Sequence, residues 1–108
     1  MGDKYHLRYL PLFYDDMEEV LTYIRDELKN PKAAIELLKA TEKEILNRLP
    51  DCESFEQFPS KKERRYPYYR IYVKNYIVFY VVIKDEGSIP VMEVRRFLYK
   101  GQDRDNLI

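Results

Sequence analysis

The stretch 64-RRYPYYRIYVKNYIVFYVV-82 holds six of the chain's eleven tyrosines and three of its arginines. Its core reads as two strands joined by a tight turn. Residues 68–73 alternate, with Tyr68, Arg70, Tyr72 and Lys74 on one side and Tyr69, Ile71 and Val73 on the other. Lys74-Asn75 has the length of a two-residue hairpin loop, and Asn75 tolerates the left-handed backbone region that such a turn uses. Residues 76–83 are nearly continuous in apolar side chains, the pattern of a central strand buried on both faces. Residues 89–98 supply one more strand after the turn "KDEGS", with Pro90 confined to its start.

Upstream, "KYHLRYL" at 4–10 alternates Tyr5, Leu7 and Tyr9 and reads as a first strand that Pro11 ends. Phe13, Met17, Val20, Leu21, Ile24 and Leu28 then recur every three or four residues, an apolar stripe on a helix of about four turns. Asp15, Asp16, Glu18 and Glu19 fall early in that helix, where its dipole favours negative charge. Asn30 and Pro31 suit the cap and first turn of a second helix, whose inner face is Ala34, Leu37, Leu38, Thr41, Ile45 and Leu49. Pro50 closes it, and residues 51–63 read as a loop pinned by Phe55 and Phe58. The expected fold is α+β: an N-terminal strand, an antiparallel helical hairpin, then a three-strand antiparallel meander, in a single domain over residues 1–108. The hairpin is expected on one sheet face, leaving the other open for function.

With 108 residues and 45% apolar content, one core is affordable. No run of about 18 apolar residues suggests a membrane span, and the N-terminus shows no secretory signal. A single cysteine, Cys52, fits a reducing cytoplasm, the expected location. One histidine, one cysteine and three scattered glycines make neither a zinc site nor a phosphate loop, so no metal or cofactor is expected. Net charge is zero, but it is divided. Residues 1–60 carry 8 Lys/Arg against 13 Asp/Glu, and residues 61–108 carry 11 against 6. An acidic half and a basic half point to nucleic acid or to an oppositely charged protein.

The chemistry that remains is arginine beside tyrosine: Arg64, Arg65 and Arg70 on or before one strand, Arg95 and Arg96 on the last, Tyr99 and Lys100 beyond it. Guanidinium pairs bidentately with phosphate, and tyrosine stacks bases. RNA cleavage by its own 2′-hydroxyl needs proton carriers and positive charge rather than a metal. Tyrosine is equally a favoured strand residue, and Arg–Tyr packing occurs in sheets with no nucleic-acid role. Alternation on the last strand turns Met92, Val94 and Leu98 inward with Arg96, and sets Arg95 with Val91, Glu93 and Phe97; a bulge would change both.

The order of these parts, "YHLRYLPLFYDDMEEVLTYI", "LKNPKAAIELL", "YYRIYVKNYIVFYVV" and "VMEVRRFLYKGQDRDNLI", resembles the RelE/ParE family of type II toxin–antitoxin toxins (plasmid stabilisation proteins) over about residues 4–108. The resemblance implies a RelE/ParE-like fold and a cognate antitoxin as partner, in a hetero-oligomer. It implies a ribosome-dependent endoribonuclease acting on mRNA, the reading that the basic second half and the density of arginine and tyrosine favour, or alternatively an inhibitor of DNA gyrase. In the RNA case Arg70, Tyr99 and Arg96 are the catalytic candidates, and Arg64, Arg65, Tyr72, Lys74, Arg95 and Lys100 hold RNA. The pattern departs where a catalytic arginine usually follows Tyr76, since this chain has Ile77 there. Gly101 and Gln102 likewise stand in place of arginines. Both departures favour the gyrase reading or a degraded toxin that mainly binds antitoxin.

Overall fold

The computed structural model describes residues 4–60, 62–85, 88–102 and 107–108; Lys61, residues 86–87 of the expected turn and residues 103–106 of the tail lie outside the described residues. The fold is α+β. Strand β1 (His6–Tyr9) leads into helix α1 (Pro11–Thr22), which a wide π turn (Tyr23–Glu27) continues. Helix α2 (Pro31–Arg48) follows, closed by a 3-10 turn (Leu49–Asp51). Strands β2 (Tyr69–Val73), β3 (Tyr76–Ile83) and β4 (Val91–Tyr99) complete one sheet in the order β1-β4-β3-β2. The meander is antiparallel as expected, while β1 joins it in parallel beside β4. No helix among the described residues is long and apolar enough to cross a membrane.

Local chemistry sets the helix ends. Pro11 and Pro31 each occupy a first helical turn, where the missing N–H costs nothing. The Asn30 side chain accepts from the Ala33 N–H and caps α2. The expected α1 stripe holds from Phe13 through Ile24 and then fails at Leu28, which is 57% exposed. The cause is the π turn: the Leu28 N–H donates to the Tyr23 carbonyl, so one extra residue enters the turn and rotates Leu28 off the buried face. Its neighbour Lys29 takes φ 51°, the left-handed residue that ends the helix. In the hairpin turn the positive φ falls on Lys74 (55°) instead of the expected Asn75.

The larger core lies between helices and sheet. Phe13, Met17 and Ile24 from α1 and its π turn, and Ala34, Leu37 and Ile45 from α2, meet Tyr69, Ile71, Val73, Val78, Tyr80, Val82, Met92, Val94 and Phe97. Burying a side chain such as Ile45 contributes about 2 kcal/mol. The other face of the sheet is not open. Ile77, Phe79 and Val81 are fully buried there with Tyr68 and Leu98, under Phe58, Tyr66, Ile83 and Ile108. A central strand with apolar side chains on both sides requires a second cover, and the segment before β2 provides it. The Phe58 N–H donates to the Tyr68 carbonyl at 2.6 Å, and Gln57 bridges to Tyr69. Tyr68 is therefore core, where alternation had set it on an open surface.

Lysine at φ 51° is strained in a way that glycine is not. Lys29→Gly is expected to stabilise the fold by about 0.5–1 kcal/mol, read as a higher urea midpoint with unchanged slope.

Candidate functional site

The last strand decides where the arginines point. Phe79 stands opposite Arg96 and Tyr80 opposite Val94, so Arg95 is the extra residue of a β-bulge. This corrects the unbroken alternation expected of β4. Met92 and Val94 face the helices as read, but beyond the bulge the phase inverts. Phe97 joins the helix-side core and Leu98 the second cluster. Arg95 and Glu93 both turn to the second face, where Arg95 Nε donates to Glu93 at 2.8 Å and its Nη1 reaches the Tyr68 hydroxyl at 3.4 Å.

Glu93 is 4% exposed. It lies opposite Arg8 of β1, and that guanidinium closes on its carboxylate through Nε at 2.8 Å and a second, shorter contact. Burial pushes the Glu93 carboxyl up, and the bonds from Arg8 and Arg95 more than offset this, leaving it below the ordinary carboxylate range. Sequence reasoning missed this ion cluster, because nothing in the residue pattern discloses that β1 lies parallel to β4.

Arg96 lies at the part of β4 that β1 does not reach, since their pairing ends at Tyr9 and Val94. Asp16 of α1 fills the gap. Its carboxylate takes Arg96 Nε at 2.7 Å and Nη2 at 2.9 Å, and also accepts the Phe97 N–H at 3.0 Å. Asp16 lies beyond the first turn of α1, so the expected dipole role gives way to another: it satisfies a strand edge. Two residues on, the Tyr99 N–H is taken by the Gln102 side chain at 2.9 Å. The Tyr99 ring lies against Gly101, where a Cβ would stand 2.7 Å from Cε2. Gly101 and Gln102, the residues that depart from the family pattern, therefore finish the end of β4.

Of the three catalytic candidates, Arg96 and Tyr99 line one cavity and Arg70 does not. Arg70 and Arg96 lie on either side of Phe79 on the second face. Tyr99 pairs with Tyr76, which stacks on Phe97 at 5.0 Å, so Tyr99 belongs to the helix side of the sheet. It borders a cavity of about 580 Å³ between α1 and the β4 edge, lined in part by Asp16, Tyr23, Tyr76 and Arg96. Ile77 has no exposed surface. Tyr76 is no ready proton carrier either, since burial, then Tyr99 and Tyr23, push its hydroxyl up; burial pushes Tyr80 up to about 12.

The RNA-holding candidates are better grouped. Arg64, Arg65 and Arg95 line one cleft of about 340 Å³ with Glu63, Tyr66 and Tyr68. Arg64 lies 5.0 Å from the Tyr68 ring centre, Arg65 5.2 Å from Tyr66, and Arg70 5.4 Å from Phe58 and 5.8 Å from Tyr72. Tyr72 is 56% exposed on this face, and Lys74 is exposed in the hairpin turn. Lys100 stands apart, its N–H donating to the Asn75 carbonyl beyond the end of β4.

Two outcomes test these ion pairs. Glu93 has its folded pKa below the unfolded value near 4.5, so its contribution is present above that pH and lost as pH falls through the folded value. Glu93→Gln is expected to flatten the acid side of the stability–pH curve, leaving the slope due to Glu53, which is also lowered. At pH 7, Asp16→Ala is expected to cost about 3 kcal/mol, because it strands a largely buried Arg96 and an edge N–H. A double-mutant cycle with Arg96→Ala should show a coupling of about 1–3 kcal/mol.

No family model matches the chain, and no curated protein matches it. Its fold is similar to that of a chain from the chromosomal ParDE TA system from P. aeruginosa. The TM-score is 0.69 over 91% of this chain and 98% of that one, at 9% sequence identity. The ParE-like α+β fold that the resemblance implied is the fold of this chain.

Proposed function

We propose that this chain is the toxin of a type II toxin–antitoxin pair, neutralised by a protein antitoxin. The observation that carries the reading is the fold shared with a chain of the ParDE system across nearly the whole length of both. An antitoxin needs a seat, and the helical hairpin offers one. An apolar cavity of about 230 Å³ opens between β1, α1 and α2, lined mainly by Tyr9, Phe13, Tyr14, Met17, Ile45 and Leu46. Tyr14 and Leu46 stand more than half exposed at it, as contacts for the apolar face of an amphipathic segment. An acidic continuation of that segment suits the basic second half of the chain.

The toxin acts by binding a protein target, DNA gyrase by analogy with ParE, and not by cutting RNA. What supports this is the separation of Arg70 from Tyr99 by the sheet and the engagement of Arg96 by Asp16. Three groups meant to share one phosphate must lie within hydrogen-bond reach of it. A second reading, the ribosome-dependent mRNA endoribonuclease, draws support from the gathering of Arg64, Arg65, Arg70 and Arg95 with Tyr66, Tyr68 and Tyr72 on one face.

Induction in cells separates the two. The gyrase reading expects filamentation, SOS induction and double-strand breaks, with an Arg70→Ala, Tyr99→Ala double variant still toxic. Rapid loss of translation with codon-positioned mRNA cuts, abolished in that variant, would establish the nuclease instead. No growth effect from the wild-type chain would overturn the toxin assignment.

A further inference from the structure

Asp16, Glu19 and Tyr23 recur at helical spacing along one flank of α1 and its π turn. Across from them lie Tyr76, Arg96 and Tyr99 of β3 and β4, and the space between is the cavity of about 580 Å³. Its walls are aromatic. The Tyr76 and Tyr99 rings meet at 73° with centres 5.9 Å apart, two sides of a corner, and Tyr23 adds a third wall from the helix. Burial, then Tyr99 and Tyr23, push the Tyr76 hydroxyl up, so the three rings share one space. Tyr23 and Tyr99 are each about half exposed, which leaves ring surface for a ligand. Its charge is acidic. Arg96 is already spent on Asp16, and among the described residues nothing pairs with the Glu19 carboxylate. Two carboxylates against one guanidinium leave the described lining negative, so it repels phosphate and attracts a cation. Tyrosine faces beside a carboxylate suit a guanidinium: the rings attract its positive plane and the carboxylate accepts its paired N–H groups.

We propose that this cavity seats an arginine side chain of the antitoxin, held among Tyr23, Tyr76 and Tyr99 and paired to Glu19. The proposal rests on the toxin–antitoxin reading above and gives the antitoxin a second anchor. Helix α1 is a wall of both seats. Phe13, Tyr14 and Met17 line the hairpin groove on one side of its buried stripe, and Glu19 and Tyr23 line the cavity on the other. A segment leaving the groove over the outside of α1 covers roughly 20 Å, or about six extended residues. The arginine is expected about that far beyond the apolar face of the amphipathic segment. Arg96 does not repel it strongly, because its Nε and Nη2 both donate to the Asp16 carboxylate. A lysine fits less well, since a compact ammonium lacks the plane that stacks on a ring while pairing two-pronged with a carboxylate.

The probes are acetyl-Ala-Arg-Ala-amide and its neutral counterpart with citrulline, titrated into the whole chain and followed by the tyrosine ring resonances in NMR spectra. The arginine peptide is expected to shift Tyr23, Tyr76 and Tyr99 to saturation and to leave Tyr14 in place. The citrulline peptide should bind about tenfold more weakly, since it loses both the ring attraction and the ion pair. Glu19→Gln, an exposed change that spares the core, should weaken the arginine peptide about fivefold, and Tyr23→Leu by a similar factor. In cells, the Glu19→Gln, Tyr23→Leu double variant should still inhibit growth when induced without antitoxin. Equal binding of the two peptides, or shifts confined to other tyrosines, would overturn the arginine seat. Tighter binding of tetramethylammonium than of the arginine peptide would give the cavity to a small free cation and overturn it as well. Loss of growth inhibition in the double variant would assign the cavity to the toxin's target and overturn the antitoxin as its occupant. The toxin reading fails separately, by the absence of any growth effect from the wild-type chain, whatever the peptides do.

Discussion

Strand β3 has no exposed face. From Ile77 to Val81 each side chain is fully buried, and successive ones point to opposite sides of the sheet. A sheet built around such a strand needs two covers. The helical hairpin supplies one. The other is assembled from non-regular chain: Phe58, Tyr66 and Ile108, with Tyr68 at the entry to β2. That second cover moves the arginines to its rim. Arg64 rests on Tyr68, Arg70 on Phe58 and Tyr72, and Arg95 between Tyr68 and Glu93. The guanidinium groups are thus roof edges over an apolar patch before they are anything else.

The second constraint is the edge of β4. β1 pairs only as far as Val94, and the strand continues five residues further, to Tyr99. Its outward N–H groups need acceptors or they become a template for another chain. The Asp16 and Gln102 side chains fill that role for Phe97 and Tyr99. The bulge at Arg95 belongs to the same arrangement. By inverting the phase of the strand it keeps Val94 and Phe97 together in the helix-side core. It also turns Arg95 onto Glu93, which would otherwise be a buried acid with Arg8 alone.

The elements were legible because each has a local cause. Proline and asparagine mark α2, and alternation marks β2. The apolar run of β3 announces burial on both sides, and taken at its word it also rules out an open sheet face. What the residue pattern cannot convey is non-local. The parallel docking of β1 on β4 decides that Glu93 meets Arg8. One added residue in the π turn at Tyr23–Glu27 decides that Leu28 faces solvent, and one at Arg95 decides which core receives Phe97 and Leu98. Periodicity reads phase, and a single insertion resets phase without leaving a mark in composition. The candidate site suffered most, because its members lie beyond or beside these insertions. Arg70 and Arg64 fell on the face expected for them, and Tyr99 on the opposite one from Arg70.

These two constraints limit where a site can be built on this fold. Both sheet faces are consumed by packing, so anything functional must be built from the rim: the hairpin groove, the cleft before β2, and the end of β4. Rim residues are also the ones that satisfy edges and roof the second core. Here Asp16, Gly101 and Gln102 are committed to finishing β4, and Arg95 and Arg96 are paired to carboxylates. Ile77, with no exposed surface, completes the second core, so position 77 is spent on packing. Fold and site are thus separable: the two-sided strand fixes the layers, and the rim arginines are already engaged by carboxylates and aromatic rings before any ligand meets them.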